Sequence, residues 1–408
     1  MRVERLGTLG SPAEVLRKID AGTRAAGLDP PAALVGEWFG SAAVIAPTLA
    51  ARPVPTDSVF GVSPAGGTDT VGGGWIGYLS YPDAASDGAP PRIPEAAGGW
   101  TDCVLRLDRD GTWWYETLTG AELPGWITVA LDSPAASGGC DIVWHPPSAE
   151  RHRSAVLSCL DAIGAGEVYQ ACVCTQFTGS VSGSPLHFFA DAVSRNTPAR
   201  AAYLAGDWGA VASLSPELFL SRVGEEVRSS PIKGTLPLRA DPARLRASAK
   251  DVAENIMIVD LVRNDLGRVA RTGSVTVPDL LAVRPAPGVW HLVSTVSAQV
   301  PVQVPTTELL AATFPPASVT GTPKIRARQL LSQWEAHRRG VYCGTVGMAS
   351  PVAGCELNVA IRTVEFEAEH RAVLGVGGGI TADSDPDAEW QECLDKAAAI
   401  VHFAATAP

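Results

Sequence analysis

The 408-residue chain holds 46% hydrophobic and 18% charged residues and carries a net charge of −11. This composition excludes a disordered polymer, and the charge argues against nucleic acid or an anionic membrane as the main partner. An anionic small substrate would need a local cation, from Lys, Arg or a bound metal.

The eight cysteines, at 103, 140, 159, 172, 174, 343, 355 and 393, form no CxxC and no dense framework. They read as reduced thiols. The N-terminus has no apolar signal core and no run reaches the length of a membrane span, so a soluble cytoplasmic protein is expected.

Residues 1–146 are rich in Gly, Ala and Pro. Ala42–Ala46 and Trp75–Tyr81 read as short strands, and Val104–Tyr115 as a hairpin turning at Asp110-Gly111. Residues 83–99 read as a loop. Gly72–Gly77 matches a dinucleotide fingerprint, but strand-like residues follow it where a helix is required. A nucleotide-binding oxidoreductase therefore has little support.

His145-Pro-Pro-Ser148 marks a boundary, dividing a 1–146 region from a 147–408 region. Ser148 is a good N-cap for a helix whose apolar stripe is Ala155, Val156, Cys159, Leu160 and Ile163, closed by Gly164 and Gly166. Val168–Phe177 alternates as a strand, with Gln170, Cys172, Cys174 and Gln176 on one side. Gln170 is either structural or faces a site.

Glu217 stands between a turn and a strand, among apolar residues. It is a solvated strand-end carboxylate or an acid of raised pKa suited to proton donation. Sixteen residues later, Ser229-Ser-Pro-Ile-Lys233-Gly-Thr235 holds a lysine in a tight loop with few charges around it. A surface turn is the plain reading. A desolvated amine that acts as nucleophile is the other. A hairpin of that length would bring Glu217 and Lys233 together.

Asp241-Pro242 predicts the start of one long helix ending at Gly267. On it Asp251 and Glu254, spaced i, i+3, share a face. Trp290–Val296 is a strand carrying His291. Phe314–Arg326 is a loop that opens a helix at Pro323, without phosphate-loop spacing. Gly340–Gly347 and Leu357–Thr363 read as strands, the second with Arg362 on an inward sheet face, where it needs a carboxylate partner.

The last helix is capped by Asp385-Pro386 and presents Glu389, Glu392 and Lys396 on one face. Two opposed acidic pairs can hold Mg²⁺. Solvated faces with a Glu392–Lys396 salt bridge fit the same spacing.

Ten of these stretches, in this order, resemble the chorismate-utilising enzymes, the anthranilate synthase component I-like family. They are Gly166–Gln170, Ser215–Glu217, Pro231–Thr235, Lys250–Asn255, Arg263–Arg268, His291–Ser294, Ser318–Lys324, Tyr342–Gly344, Asn358–Thr363 and Gly378–Pro386. The resemblance is dense over 150–400 and loose before 145.

The resemblance implies an α+β fold of two interwoven halves, whose antiparallel sheets pack as a sandwich with helices outside. It implies Mg²⁺ on Glu254 and Glu392, with Asp251 and Glu389 supporting. Tyr342, Arg362, Gly378 and Gly379 would cradle the enolpyruvyl carboxylate, with Lys396 near the metal-bound carboxylate. Glu217 would assist departure of the C4 hydroxyl, His291 would line the ring, and Ser318, Gln170 and Thr235 would belong to the substrate pocket.

Gln170 stands where water-adding members carry a lysine, and Lys233 where anthranilate-forming members carry alanine. A PIKGT lysine implies the branch that makes 4-amino-4-deoxychorismate, for p-aminobenzoate or folate or a specialised metabolite, through a Lys233 adduct at C2. Ammonia would come from a separate glutamine amidotransferase subunit, and a downstream aminodeoxychorismate lyase would act in trans. Anthranilate-forming and aminodeoxyisochorismate-forming relatives are the alternatives, and a catalytically silent scaffold subunit is the reading from another class.

Overall fold

A computed structural model describes all residues except 64–65, 83–89, 136, 197, 287 and 403–408. Among the described residues two large sheets, of twelve and ten strands, carry the fold; eleven and nine of these lie in one row, while Cys140–His145 pairs beside them with Gln170–Gly183 in the first sheet and Thr276–Ala286 with Val289–Gln299 in the second. The first runs Arg2–Gly7, Trp113–Thr117, Cys103–Leu107, Ser41–Ala46, Ala32–Trp38, Arg200–Gly206, Gly209–Ser215, Thr363–Glu367, Arg371–Ile380, Gln170–Gly183 and Gly321–Thr322. The second runs Ile232–Pro237, Val289–Gln299, Glu226–Ser230, Leu218–Val223, Gly354–Asn358, Thr345–Ser350, Gly74–Leu79, Ala96–Thr101 and Arg52–Pro53. Strands from before and after residue 147 share both sheets.

Alternation along each strand divides its side chains between two layers. Ala32, Leu34, Val44 and Ala46 face inward and meet Ile76, Tyr78, Ala97 and Met348 of the second sheet, filling the middle of a sandwich. Ala33, Val35, Ala43 and Ile45 face outward into a layer shared with Leu16 and Ile19 of the helix Pro12–Ala26, and Cys393 and Ala397 of Pro386–Val401 belong to the same layer, where that helix packs on Arg371–Ile380. The helices Ala249–Gly267 and Thr306–Thr313 cover the second sheet. Ala149–Gly164 and Lys324–Trp334 cover Gln170–Gly183. The expected α+β sandwich with outer helices is what forms. No helix among the described residues is long and apolar enough to cross a membrane, and all eight cysteines are free.

Several local expectations hold. Ser148 caps its helix by accepting from Arg151 N. Asp385 caps the last one through Asp387 N and Ala388 N, with Pro386 at the first position. The 104–115 hairpin turns at Gly111, whose φ is +86°.

Others are corrected. The predicted helix after Pro242 is two, Ala243–Ala247 and Ala249–Gly267. Ser248 breaks it, because its hydroxyl accepts from Asp251 N and starts a new first turn. Residues 96–99 belong to the strand Ala96–Thr101, whereas 83–89 lie outside the described residues. Gly98 and Gly99 gave that stretch a loop-like composition. A Cβ on Gly98 would come within 2.3 Å of the Trp75 ring, so glycine there serves close packing. Residues 340–343 form turns, and the strand starts at Thr345. Gly72–Gly77 runs into the strand Gly74–Leu79 with no helix after it, so the dinucleotide context is absent.

The largest correction concerns 357–363. It is not one strand. Gly354–Asn358 lies in the second sheet and Thr363–Glu367 in the first. Arg362 stands at the crossing with φ +52°. The chain makes the opposite crossing at Glu217, between Gly209–Ser215 and Leu218–Val223. The two crossings are tied together, since Val359 N donates to Glu217 O and Leu214 N to Arg362 O. Glu217 and Arg362 are thus held side by side where both sheets change partners.

Candidate active site

The hairpin Leu218–Val223/Glu226–Ser230 pairs Leu218 with Ser230, three residues before Lys233, and so returns the chain to the neighbourhood of Glu217. The two groups act on each other electrostatically. Lys233 is on a strand, Ile232–Pro237, rather than in a free loop. The strand shifts register against Val289–Gln299 between Ile232 and Thr235, around Lys233 and Gly234. Gly234 has φ +85°, and a Cβ there would lie 3.1 Å from the Asp251 side chain. Glycine is therefore what lets this strand lie against the first turn of the helix Ala249–Gly267.

Lys233 Nζ stands 2.7 Å from Glu254 Oε1, both side chains nearly buried. Burial alone pushes the ammonium toward release of its proton, but Glu254, with smaller contributions from Cys172 and Glu217, reverses this and holds the ammonium above its ordinary range. Glu217 is buried and its carboxyl is pushed up to about 7, because desolvation outweighs Ser318, Lys233 and Arg362. Burial lowers the Arg362 guanidinium, against Glu217.

His291 lies opposite Thr235 in the ladder, and its Nδ1 is 2.9 Å from Thr235 Oγ1. Burial, then Arg362, pushes its imidazole down to about 4, so the ring is neutral at pH 7. Its Nε2 is buried without a partner.

The floor is the glycine run of Arg371–Ile380. Gly379 pairs with Cys172 and Gly378 with Val173 of Gln170–Gly183. A Cβ on Gly379 would stand 2.3 Å from Glu254 Oε1 and 2.5 Å from Gln170 Nε2. A Cβ on Gly378 would stand 2.9 Å from Glu389 Oε2 and 3.9 Å from Glu392 Oε1. The two helices therefore aim Glu254, Glu389 and Glu392 at one short stretch of bare backbone. Gln170 Nε2 is 3.4 Å from Glu254 Oε1, and Gln170 Oε1 is buried and unpartnered. The expected Glu392–Lys396 bridge is present at 2.7 Å, and Lys396 also donates to Gly377 O. Burial raises the Glu392 carboxyl, but Lys396, Lys250 and Lys233 outweigh it and hold the carboxyl below its ordinary range.

Asp251 spends its backbone N–H on the Ser248 cap and packs against Gly234. Tyr342 is buried over Gly375, and burial holds its phenol well above the ordinary range. Ser318 is buried beside Glu217. Lys233, Glu217, Ser318, Arg362, His291 and Thr235 are linked into one group, and Gln170, Gly378, Gly379, Glu254, Glu389, Glu392 and Lys396 into a second, with the Lys233–Glu254 pair joining the two. A cleft of about 1060 Å³ lined by Asp57, Tyr81, Glu95, Glu308 and Arg328 lies apart from these residues.

Sequence reading singled out neither Lys250 nor Arg339. Lys250 Nζ is 3.3 Å from Glu389 Oε1, joining the two acidic helices. Arg339 is buried, grips Glu335 with two nitrogens, and donates to Val319 O and Cys172 O. It binds the Ser318 turn to the Gln170–Gly183 strand. Glu335 and Arg339 lie beyond the end of the helix Lys324–Trp334, so helical spacing held no signal for the pair.

A family model described as chorismate binding enzyme matches residues 58–402. The chain belongs to this family. Among its relatives, the aminodeoxychorismate synthase component 1 of Klebsiella aerogenes is 43% identical over 244 residues, 58% of this chain and 54% of the relative. The 2-amino-4-deoxychorismate synthase of Streptomyces globisporus is 33% identical over 361 residues, 82% and 72% of the two chains. Anthranilate synthase component I of Streptococcus pneumoniae superposes with a TM-score of 0.73 at 26% identity, covering 86% of each chain. The chain spans about half the length of the first of these relatives, and the glycine floor, paired carboxylates and buried lysine described above all fall inside the chorismate-binding match.

Proposed function

We propose that this chorismate-binding chain aminates chorismate to 4-amino-4-deoxychorismate by covalent catalysis through Lys233. The observation that carries the reading is the nearly buried Lys233 between Glu217 and Glu254, whose carboxylate lies over bare glycine backbone. The 43% identity to an aminodeoxychorismate synthase component 1 supports it.

In this reading Lys233 attacks C2 as the C4 hydroxyl departs. Glu217, with a pKa near 7, is protonated in a large fraction of molecules at neutral pH and donates the proton that turns hydroxide into water. The amine must leave Glu254 and lose its proton before it attacks, and burial already favours the neutral form. Ammonia then adds at C4 and expels the lysine, splitting one hard displacement into two easier ones. Arg362 and Tyr342 would hold the enolpyruvyl carboxylate. Neutral His291 would face the ring with its unpartnered Nε2. Ammonia would come from a glutamine amidotransferase subunit, and a lyase acting in trans would consume the product.

Glu254 and Glu392 would hold Mg²⁺, with Asp251 and Glu389 supporting. Among the described residues no three acidic, His or Cys side chains close into a cage. The donors still fit this ion, which binds through one or two carboxylates, waters and substrate oxygens. The cradle that a Cβ would fill and the buried, unpartnered Glu389 Oε2 both leave room for a cation. When bound, Mg²⁺ supplies positive charge that neutralises and orients the ring carboxylate.

The test is intact-mass spectrometry after incubation with chorismate and Mg²⁺ without ammonia. A substrate adduct on wild type that is absent from Lys233→Ala supports the reading. Release of fluorescent anthranilate when ammonium is added would overturn it in favour of the anthranilate-forming branch.

A further inference from the structure

Each carboxylate aimed at the glycine floor already faces an ammonium. Lys233 is 2.7 Å from Glu254, Lys396 is 2.7 Å from Glu392, and Lys250 is 3.3 Å from Glu389. Three ammonium groups therefore compete for the carboxylates that a divalent ion would use. They are not equally screened. The side chains of Lys250 and Lys396 are 44% and 42% exposed, whereas that of Lys233 is 12% and that of its partner Glu254 is 10%. Charge interactions grow as the effective dielectric falls, so the Lys233–Glu254 pair carries the most weight.

Glu254 and Glu389 are both nearly buried, and Glu254 is the one that faces the buried lysine. Its Oε1 takes both the Lys233 ammonium and the Gln170 amide, and the Gly379 backbone closes the space beneath it. Lys233 cannot retreat with its strand, because Gly234 is already packed on Asp251.

We infer that Lys233 and the divalent cation are antagonists for Glu254. The inference rests on the cation site proposed above. Loading the cation weakens the Lys233–Glu254 contact, and that contact weakens cation binding by the same factor, since coupling between two sites is reciprocal. The nucleophile is thereby tied to the cation through one shared carboxylate. Its side chain is turned toward substrate only when the group that orients the ring carboxylate has arrived. Lys250 and Lys396 are screened partners that set the general charge of the floor.

The experiment is Mn²⁺ binding, followed by the electron paramagnetic resonance signal of the free ion, with no substrate present. Wild type is compared with Lys233→Met, Lys250→Met and Lys396→Met, and circular dichroism checks folding. Lys233→Met is expected to bind Mn²⁺ at least about tenfold more tightly than wild type, from loss of one nearly buried positive charge. Lys250→Met and Lys396→Met are expected to change affinity less than about threefold, as solvent-screened charges do. Lys233→Gln serves as a second neutral variant if the methionine one does not fold. Unchanged or weaker binding in the Lys233 variants, with clear binding to wild type, overturns the inference and leaves the cation site standing. No binding to any of these proteins, at concentrations where Glu254→Gln also shows none, removes the cation site itself.

Discussion

The Tyr342 ring occupies the space that a side chain at position 375 would need: a Cβ on Gly375 would lie 2.2 Å from Tyr342 Cγ. The glycine run of Arg371–Ile380 thus serves the pocket along its length, seating Tyr342 at 375 and the carboxylates at 378 and 379. Gly375→Ala is expected to displace Tyr342 and to destabilise the protein by about 1–3 kcal/mol, the usual effect of overpacking. Denaturant unfolding measures the second effect. A rise in KM for chorismate with a smaller change in kcat measures the first, because Tyr342 is proposed to bind substrate rather than react.

The raised pKa of Glu217 predicts a sign. Its carboxyl moves from an ordinary 4.5 to about 7 on folding. Between those values the folded chain keeps a proton that the unfolded chain has lost, so stability falls as pH rises from 4.5 to 7 and is level above. Glu217→Gln removes this dependence. The variant is expected to match wild type in stability near pH 4 and to exceed it by roughly 3 kcal/mol at pH 8, since each tenfold change in proton affinity is worth about 1.4 kcal/mol. Activity should move oppositely, with wild-type turnover falling above pH 7 and the variant slow throughout. Unfolding curves at the two pH values check the stability difference, and equal stabilities at pH 8 would mean that folding does not raise the Glu217 carboxyl.

What could be read from the sequence was mostly local. The Asp385 and Ser148 caps, the 104–115 hairpin and the return of the chain from Glu217 to Lys233 each depend on residues a few positions apart. Alternation failed where it was asked for a sheet's identity. Leu357, Val359 and Ile361 alternate without a break, yet the chain leaves one sheet after Asn358 and enters the other at Thr363. Period two reports which side of the backbone is buried and is silent on the neighbouring strand. The facing of Glu254 by Lys233 and of Glu389 by Lys250 joins elements far apart in the chain, which spacing on a single helix does not reveal. The family resemblance named the residues of the site; their pairing came from the fold.

Lys324 illustrates a buried pair invisible to local patterns. Its Nζ is 2.6 Å from Asp265 Oδ2 and donates to the carbonyls of Thr313 and Pro315, holding the segment before Ser318 against the helix Ala249–Gly267. Lys324→Met leaves Asp265 uncompensated and is expected to cost about 3–5 kcal/mol. The double variant Lys324→Met/Asp265→Leu should regain much of that loss, because it leaves no buried charge. Denaturant unfolding of the three proteins tests this; a double variant no more stable than Lys324→Met would mean that the carbonyl contacts, and not the charge, hold the segment.

Gly379→Ala tests the cradle most directly. The added methyl would stand 2.3 Å from Glu254 Oε1 and 2.5 Å from Gln170 Nε2, distances that neither side chain tolerates without moving. Both side chains are buried and hydrogen-bonded to each other, so they must shift to admit the methyl, and the penalty to stability is expected to be about 1–3 kcal/mol. Turnover depends on carboxylate placement and should fall by about 100-fold or more, as misplacement of a positioning group by about 1 Å does. Gly378→Ala meets Glu389 Oε2 at 2.9 Å and is expected to be the milder of the two. Assaying both variants with chorismate, Mg²⁺ and ammonium, beside their unfolding curves, separates the effects. A Gly379→Ala protein with near-wild-type turnover would show that Glu254 does its work elsewhere than over this glycine.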